Sequence, residues 1–338
     1  MAKEGVRRFL YYEEPYRKRT KNPRTGRRRR SFGGWLIGLC LRLIALLLAL
    51  FVLGAGLLYA LPVSLFMVEP EGVELSLADN LPDSRANILL LGLDALRESR
   101  QRSDTMVVAS VGYGVLKLTS ALRDTLVDIP GYGTGKLNAA YARGGAELVM
   151  RTLNETYSLN IMHYLAVDFT ALVSVVDAIG GVEVPVTEAE ADLINRTMDG
   201  DRARFEPLGY SAPALSQSGE NIHLNGVQAL YFARIRKLDD DFQRTRRQRA
   251  LLSAMLKKIR GSLWNPAMLV RLGKALAGSV DTNMSVVQLL SLGEKALLAG
   301  APETQRLPVD GSYTDDGSSL RIDDRQKNAD AFRAFVYD

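Results

Sequence analysis

The sequence predicts an α/β domain, in which helices pack on a β-sheet, preceded by one transmembrane helix. Strand-like apolar runs alternate with longer segments of helical spacing, which favours a layered α/β domain. Residues 43–61, nineteen in number, include no charged side chain. About 20 apolar residues cross the hydrocarbon core of a bilayer.

Charge is distributed unevenly along the chain. The net charge of the whole is +5, but residues 1–30 hold twelve Lys and Arg against three Glu, and residues 62–338 carry −5. Positive charge beside a span stays in the cytoplasm. We therefore expect a basic cytoplasmic tail at 1–33, a transmembrane helix at 34–61 and an outer domain beyond the plasma membrane.

Two other interpretations of this N-terminal region are weaker. A cleaved signal peptide usually has a shorter apolar region. The run of arginines at 27–30 resembles a nucleic-acid patch, but its place beside a span is accounted for by topology or by anionic lipid. No nucleic-acid partner is expected.

Histidine and cysteine are scarce. The single cysteine, Cys40, lies in the predicted span, so the outer domain has no disulfide and no cysteine metal site. The chain has two histidines, too few for a His-rich metal site.

The outer domain is predicted to consist of a connector followed by alternating strands and helices. Residues 62–86, with three prolines, indicate a connector. Periodicity predicts strands at 87–93, 105–111, 115–122, 164–167, 182–186 and 306–309. It predicts helices at 145–159, 169–179, 225–232, 242–259, 265–278, 285–299 and 323–335, and a loop at 198–223. Residues 263–338 are expected to form a helical extension of the same outer domain.

Acidic and arginine side chains recur at the ends of the predicted strands. Asp94 ends the first strand and Asp104 begins the next, so their carboxylates can hold one hard cation through oxygen. Arg forks bind phosphate oxygens in pairs. The arginines at such positions, with one glutamine beside them, are Arg102, Arg123, Arg234, Arg236, Arg244, Arg247 and Gln248. This pattern favours a phosphate or diphosphate site, with surface ion pairs as the alternative.

Eight sequence blocks then occur in the order of one family. They are NILLLGLD (87–94), RSDTM (102–106), RD (123–124), KLNAAY (136–141), GGVEV (180–184), LNGVQAL (224–230), ARIR (233–236) and DFQR (241–244). In these blocks the chain resembles the LytR–CpsA–Psr (LCP) family of envelope phosphotransferases. Leu122 stands where the family usually has proline, and Gln243 where it often has glycine; neither change removes a group that the mechanism needs.

The resemblance implies a central mixed β-sheet flanked by helices, in a catalytic domain at 87–262 with a hydrophobic pocket for a polyprenyl chain. It implies transfer of a glycopolymer from a polyprenyl diphosphate carrier to peptidoglycan, forming a phosphodiester. Mg²⁺ or Mn²⁺ would be held by Asp94 and Asp104, either of which could be the general base.

The resemblance also implies roles for the other side chains. The catalytic set is Asp94, Asp104, Arg123 and Arg236. The diphosphate would be surrounded by Arg102, Arg123, Arg234, Arg236, Arg244, Arg247 and Gln248. Asp124, Lys136 and Asn138 would bind substrate or fix a loop.

Two other function classes remain open. A non-catalytic protein that binds lipid-linked glycan would use the same pocket. A transcriptional attenuator would need contact with DNA, and only the tail is both basic and cytoplasmic.

Overall fold

A computed structural model gives the structure of the chain. It describes residues 46, 49–50, 52–66, 70, 72–93, 103–202, 206, 212–235, 241–277 and 279–338. The chain divides into two units, Met1–Gly54 and Ala55–Asp338. Most of the predicted tail and span therefore lies outside the described residues, although residues 52–60 are helical. Within the described part of the chain, no helix is both long enough and apolar enough to cross a membrane.

The second unit contains helices on both faces of a sheet. In chain order the helices are α1 (Ala139–Tyr157), α2 (Phe169–Ala178), α3 (Glu188–Gly200), α4 (Gly226–Arg234), α5 (Asp241–Gly261), α6 (Pro266–Leu276), α7 (Val286–Leu298) and α8 (Arg325–Tyr337). A 3₁₀ turn at Val63–Phe66 precedes them.

The strands form three sheets. In chain order they are β1 (Ala86–Leu93), β2 (Ser103–Gly112), β3 (Val115–Ala121), β4 (Thr125–Ile129), β5 (Gly133–Lys136), β6 (His163–Asp168), β7 (Val182–Val186), β8 (Gly219–Leu224), β9 (Val280–Thr282), β10 (Glu303–Leu307), β11 (Tyr313–Asp315) and β12 (Leu320–Ile322). The central sheet has the order β10-β3-β2-β1-β6-β9, beside sheets β11-β12-β4-β5 and β7-β8.

The central sheet is mixed, and its topology collects several strand ends. β1 is parallel to β6, and β3 is parallel to β10, whereas β2 is antiparallel to both β1 and β3. The carboxyl ends of β1, β3, β6 and β10 therefore meet at one edge of the sheet, where β2 begins. Ligands of open α/β sheets bind outside the carboxyl ends of the strands.

Both faces of the central sheet are covered. On one face, Leu89 and Leu91 belong to a core that includes Tyr157 of α1 and Phe332 of α8. On the other face, Ile88 packs in a cluster with Leu292 of α7. Burial on both faces explains why β1 reads as a continuous apolar run rather than an alternating one.

The C-terminal part is more than a helical extension, and that prediction was wrong. Residues 263–338 contribute β9 and β10 to the central sheet and β11 and β12 to the second sheet, besides three helices. These strands are three to five residues long, with polar and charged side chains among them. A strand at 306–309 was predicted, close to β10, but β9, β11 and β12 are too short to show an apolar alternation that sequence reasoning could detect.

The predicted connector is packed against the domain. Leu75 is fully buried in the core, and Asn154 Nδ2 donates to its carbonyl oxygen at 2.9 Å. Val63 and Phe66 are also buried. The described residues of this predicted connector are therefore part of the packed domain.

Candidate active site

The predicted site residues were expected at strand ends, and those that the structure describes lie at the carboxyl edge of the central sheet. Asp104 is the second residue of β2, and Arg123 follows the end of β3. Asp94, Arg102 and Arg236 lie outside the described residues.

Arg123 bridges two carboxylates. Its Nη1 is 2.9 Å from Oδ1 of Asp104, and its Nε is 3.1 Å from Oδ2 of Asp124. The side chains of Arg123 and Asp104 are 17% and 18% exposed. A half-buried guanidinium fixed in this way presents a preorganised positive charge at the sheet edge.

Lys136 extends this chain of charges. Its Nζ is 3.0 Å from Oδ1 of Asp124 and donates to the carbonyl oxygen of Ser318 at 2.6 Å. The backbone N–H of Asn138 donates to the carbonyl oxygen of Arg123 at 3.1 Å. Lys136 and Asn138 thus both hold the segment that carries Arg123 and Asp124.

A tight turn before β12 supplies the Ser318 carbonyl. Asp316 accepts hydrogen bonds from the backbone N–H groups of Ser318 and Ser319, at 2.8 and 2.7 Å. The N–H of Ser318 and the hydroxyl of Ser319 hold the pKa of Asp316 well below its ordinary value. The C-terminal segment therefore reaches the site through Lys136.

The start of α5 brings the predicted arginines together. Arg244 and Arg247 are only 3% and 5% exposed, and Gln248 is 9% exposed, so all three lie on the buried face of the helix. Nη2 of Arg244 donates to the main-chain oxygen of Asp104 at 3.3 Å. Helix α5 therefore meets β2 at the point where Asp104 lies.

Arg247 has a carboxylate partner that sequence reasoning missed. Its Nη1 is 3.1 Å from Oε1 of Glu190, and its Nη2 donates to the carbonyl oxygen of Ile235. Glu190 also closes a capping box with Thr187 at the start of α3. The spacing of Thr187 and Glu190 is visible in the sequence, but a capping box predicts only the helix start.

Arg234 lies at the end of α4, stacked on an aromatic ring. Its guanidinium carbon is 4.4 Å from the centroid of Phe169, the first residue of α2. This geometry is a cation–π contact, which helps to hold the guanidinium at this edge of the sheet.

A further basic group borders this edge and was not singled out from the sequence. Nη1 of Arg249 donates to Oγ of Ser120 at 3.3 Å, and Arg306 stacks on Phe242 at 4.4 Å. Burial lowers the pKa of Arg249, and so do the nearby charges of Arg306 and Arg246. Arg306 lies in β10, whose pairing with β3 no sequence signal predicted.

Two apolar cavities run under α5 along one face of the central sheet. The first, of about 230 Å³, includes Gly92, Thr105 and Gln248 in its wall, and the second is of about 190 Å³. They share the wall residues Leu90, Leu165 and Leu252. Thr105 and Gln248 in this wall are the sequence neighbours of Asp104 and Arg247, so the first cavity begins at the same end of β2 and of α5 as the charged side chains.

The oxygen chemistry of the edge suits a hard cation. No group of three or more His, Cys, Asp and Glu side chains comes together among the residues that the structure describes. Mg²⁺ does not need such a cage, because one or two carboxylates with phosphate oxygens and waters complete its coordination. Asp104 is a half-buried carboxylate at this edge, and it fits that kind of site.

Comparison with known proteins decides the family. The sequence model of the LytR_cpsA_psr family matches residues 68–333. The chain belongs to the LytR–CpsA–Psr family. This LCP match includes most of the C-terminal part, in agreement with the strands that residues 263–338 add to both larger sheets.

Curated relatives of this LCP chain carry two kinds of name. It is 30% identical over 264 residues to the regulatory protein MsrR of Staphylococcus aureus (strain COL), covering 75% of each chain. It is 32% identical over 238 residues to the polyisoprenyl-teichoic acid–peptidoglycan teichoic acid transferase TagU of Bacillus mycoides, covering 68% of this chain and 71% of the relative.

Solved structures share the fold. The structure of TagT bound to LIIa-WTA aligns with a TM-score of 0.62 and 24% identity, covering 80% of this chain and 97% of TagT. The LytR-Csp2A-Psr enzyme of Actinomyces oris aligns with a TM-score of 0.58 and 20% identity. The mixed central sheet flanked by helices is therefore the LCP fold, as predicted.

Proposed function

We propose that this LCP protein is a membrane-anchored phosphotransferase that moves a glycopolymer from a polyprenyl diphosphate carrier to peptidoglycan. The proposal rests on one observation: the predicted diphosphate residue Gln248 lines an apolar cavity, and the same helix start holds Arg244 against the main chain of Asp104. Such a site matches an amphiphile with an apolar tail and an anionic head. The relative TagU is named for transfer of polyisoprenyl-linked teichoic acid to peptidoglycan, which supports the same substrate class.

The arginines take the diphosphate. Arg102, Arg123, Arg234, Arg236, Arg244 and Arg247, with Gln248, surround it, and the tail lies in the apolar cavities. Guanidinium groups held in place beforehand stabilise the charge that grows on the departing lipid phosphate, without reorganisation during the reaction. Arg123 is fixed by Asp104 and Asp124.

Asp94 and Asp104 hold the divalent cation, Mg²⁺ or Mn²⁺. When bound, this ion supplies positive charge beside the diphosphate oxygens. Asp124, Lys136 and Asn138 keep the Arg123 segment in position, a role supported by the contacts of Lys136 with Asp124 and Ser318.

The chemistry is a displacement at phosphorus. An acceptor hydroxyl oxygen attacks the phosphorus next to the sugar, and its proton passes to a carboxylate, Asp94 or Asp104. The bond between this phosphorus and the bridging oxygen breaks. Polyprenyl monophosphate leaves, and the glycan is joined to peptidoglycan by a phosphodiester.

The protein is proposed to lie in the plasma membrane with its basic tail in the cytoplasm. The uncharged stretch at 43–61 and the twelve basic residues within residues 1–30 support this topology. The outer unit would then face peptidoglycan, its acceptor.

Turnover by the full chain tests the proposal. The chain in lipid nanodiscs, with a polyprenyl diphosphate-linked glycan, peptidoglycan fragments and Mg²⁺, should release polyprenyl monophosphate and label the acceptor. EDTA should stop release, and excess Mg²⁺ should restore it. A tight donor complex with no release for any acceptor would contradict the enzyme and favour the non-catalytic binder.

A further inference from the structure

Helix α7 exposes several large apolar side chains, with Gln288 and Glu294 as its partly exposed polar residues. Its inner side packs on the central sheet through Leu292, yet Val286 and Leu290 on its outer side are 70% and 56% exposed. Leu298 continues this side and is 55% exposed. Exposed apolar side chains grouped in this way mark a surface that contacts protein or membrane.

The preceding helix adds a second set of exposed apolar side chains. Trp264, just before α6, is 95% exposed, and Val270 within α6 is 59% exposed. Leu276, at the end of α6, is 39% exposed and also lines the first cavity. Exposed tryptophan and aliphatic side chains of this kind are typical of the boundary between water and lipid.

The chain that enters the outer unit from its N-terminal side is bonded to α7. Oγ of Ser291 and Nζ of Lys295 donate to the carbonyl oxygen of Leu58, at 2.9 and 3.3 Å. The hydroxyl of Tyr113 donates to the carbonyl oxygen of Ala60 at 2.9 Å. Lys295 is fully buried, so this attachment is part of the fold.

These bonds tie the described end of the uncharged stretch to α7. Ser291 and Lys295 are fully buried, and Leu290, the residue before Ser291, is exposed. The attached residues belong to the uncharged stretch 43–61. An anchor that leaves the bilayer here brings the outer side of α7 to the lipid surface.

We propose that a membrane-facing stripe, Val286, Val287, Leu290 and Leu298 of α7 with Trp264, Leu269 and Val270 at α6, rests in the interface of the phospholipid bilayer. The inner side of the same helix lines the second cavity through Leu289 and Leu292. The tail of the lipid carrier then passes from the bilayer into the cavities without crossing water. This inference rests on the proposed anchor and donor.

Fluorescence of Trp264 tests the contact directly. The chain has two tryptophans, so a full-length Trp35→Phe variant leaves Trp264 as the only one. In nanodiscs that contain lipids brominated near the headgroup, its emission should shift to the blue and be quenched relative to unbrominated discs. Unquenched emission with a water-like maximum would overturn the proposal.

Charged substitutions in the stripe give the second arm. The double variant Val286→Asp, Leu290→Asp places two charges in the stripe and should abolish the quenching of Trp264. Both side chains are exposed and neither lines either cavity, so the substitutions leave the core and the cavities unchanged. Ala334→Asp, at an exposed site of α8 on the opposite face of the sheet, is the matched control and should leave quenching unchanged. Equal quenching of Trp264 in the two variants would contradict the membrane contact. An unaltered chain that forms a dimer and shows no quenching of Trp264 would also contradict it.

Turnover separates this inference from the proposed function. The stripe variant should turn over a long-chain donor in nanodiscs about tenfold more slowly, and a short-chain water-soluble donor at the unaltered rate. Equal slowing for both donors contradicts the stripe as an entry route. No turnover of either donor by the unaltered chain contradicts the enzyme, while quenching of Trp264 still reports the membrane contact.

Discussion

Arg123 lies between Asp104 and Asp124, and this bridge is the central contact of the described site. A guanidinium presents its donors in a fixed planar fork, whereas a lysine ammonium is a point charge on a flexible stem. The position of Arg123 therefore depends on the shape of its side chain as well as on its charge.

Arg123→Lys should lower release of polyprenyl monophosphate by about 100-fold, because lysine keeps the charge and loses the two-sided bridge. The unfolding midpoint should change little. The matched control is Arg321→Lys, at a side chain 70% exposed and paired only with Asp323 among the ion pairs of the described residues. Equal turnover in the two variants would count against the role of Arg123.

Glu190 and Arg247 form a buried ion pair between α3 and α5. Glu190→Gln should reduce the free energy of unfolding by about 3 to 5 kcal/mol, since it leaves the buried charge of Arg247 without its carboxylate. On the same helix, Asp192→Asn breaks the exposed pair with Arg196 and should cost less than about 1 kcal/mol. Urea denaturation measures the free energy of unfolding of both variants. Equal reductions in the two would show that burial does not determine how much an ion pair contributes to stability.

For single residues, the sequence predicted the charged side chains of the site better than the groups that they contact. Asp104, Arg123 and Arg244 were predicted from strand and helix ends, and the structure brings them together. Glu190 and Ser318 could not be predicted as neighbours of the site, because their contacts join segments far apart in the chain.

At the scale of elements, helix α5 joins the charged edge to the apolar cavities. Arg244 and Arg247 lie at its start, and Leu252 further along lines both cavities. One helix thus sets the spacing between the head and the tail of a bound amphiphile.

Leu252→Trp should fill the junction of the two cavities and slow turnover of a long-chain donor about tenfold, while a short-chain donor is turned over normally. Tyr132→Trp, at an exposed turn between β4 and β5, is the control. Unchanged turnover of the long-chain donor in Leu252→Trp would mean that the tail lies elsewhere.

Elements with a strong apolar pattern were predictable, and most short strands were not. β1 is a continuous apolar run, β3 and helices α5 and α7 have clear apolar patterns, and the sequence predicted each within a few residues. The short strands β4, β5, β8, β9, β11 and β12 were missed, because their pairing depends on tertiary contacts. Helix α3 was missed although its capping box is present.

At the scale of the whole molecule, the C-terminal segment completes the fold. β10 extends the central sheet, and Phe332 and Val336 of α8 are fully buried in the main core. Lys117 Nζ of β3 also donates to the carbonyl oxygen of Phe335 at 2.6 Å.

Deletion of residues 301–338 should therefore abolish the cooperative unfolding transition of the outer unit, because it exposes the core that α8 covers. Deletion of residues 1–33 should leave that transition in place. Near-UV circular dichroism during heating measures both. A cooperative unfolding transition in the protein that lacks residues 301–338 would show that this segment is not needed for the fold.

The most direct test of the account follows the fate of one phosphorus atom. The full chain in nanodiscs receives a polyprenyl diphosphate-linked glycan that carries ³²P in the phosphate next to the sugar, with peptidoglycan as acceptor. If the protein is this phosphotransferase, the label moves to peptidoglycan and unlabelled polyprenyl monophosphate is left. Label that stays with the lipid while the glycan is transferred would contradict the phosphotransferase.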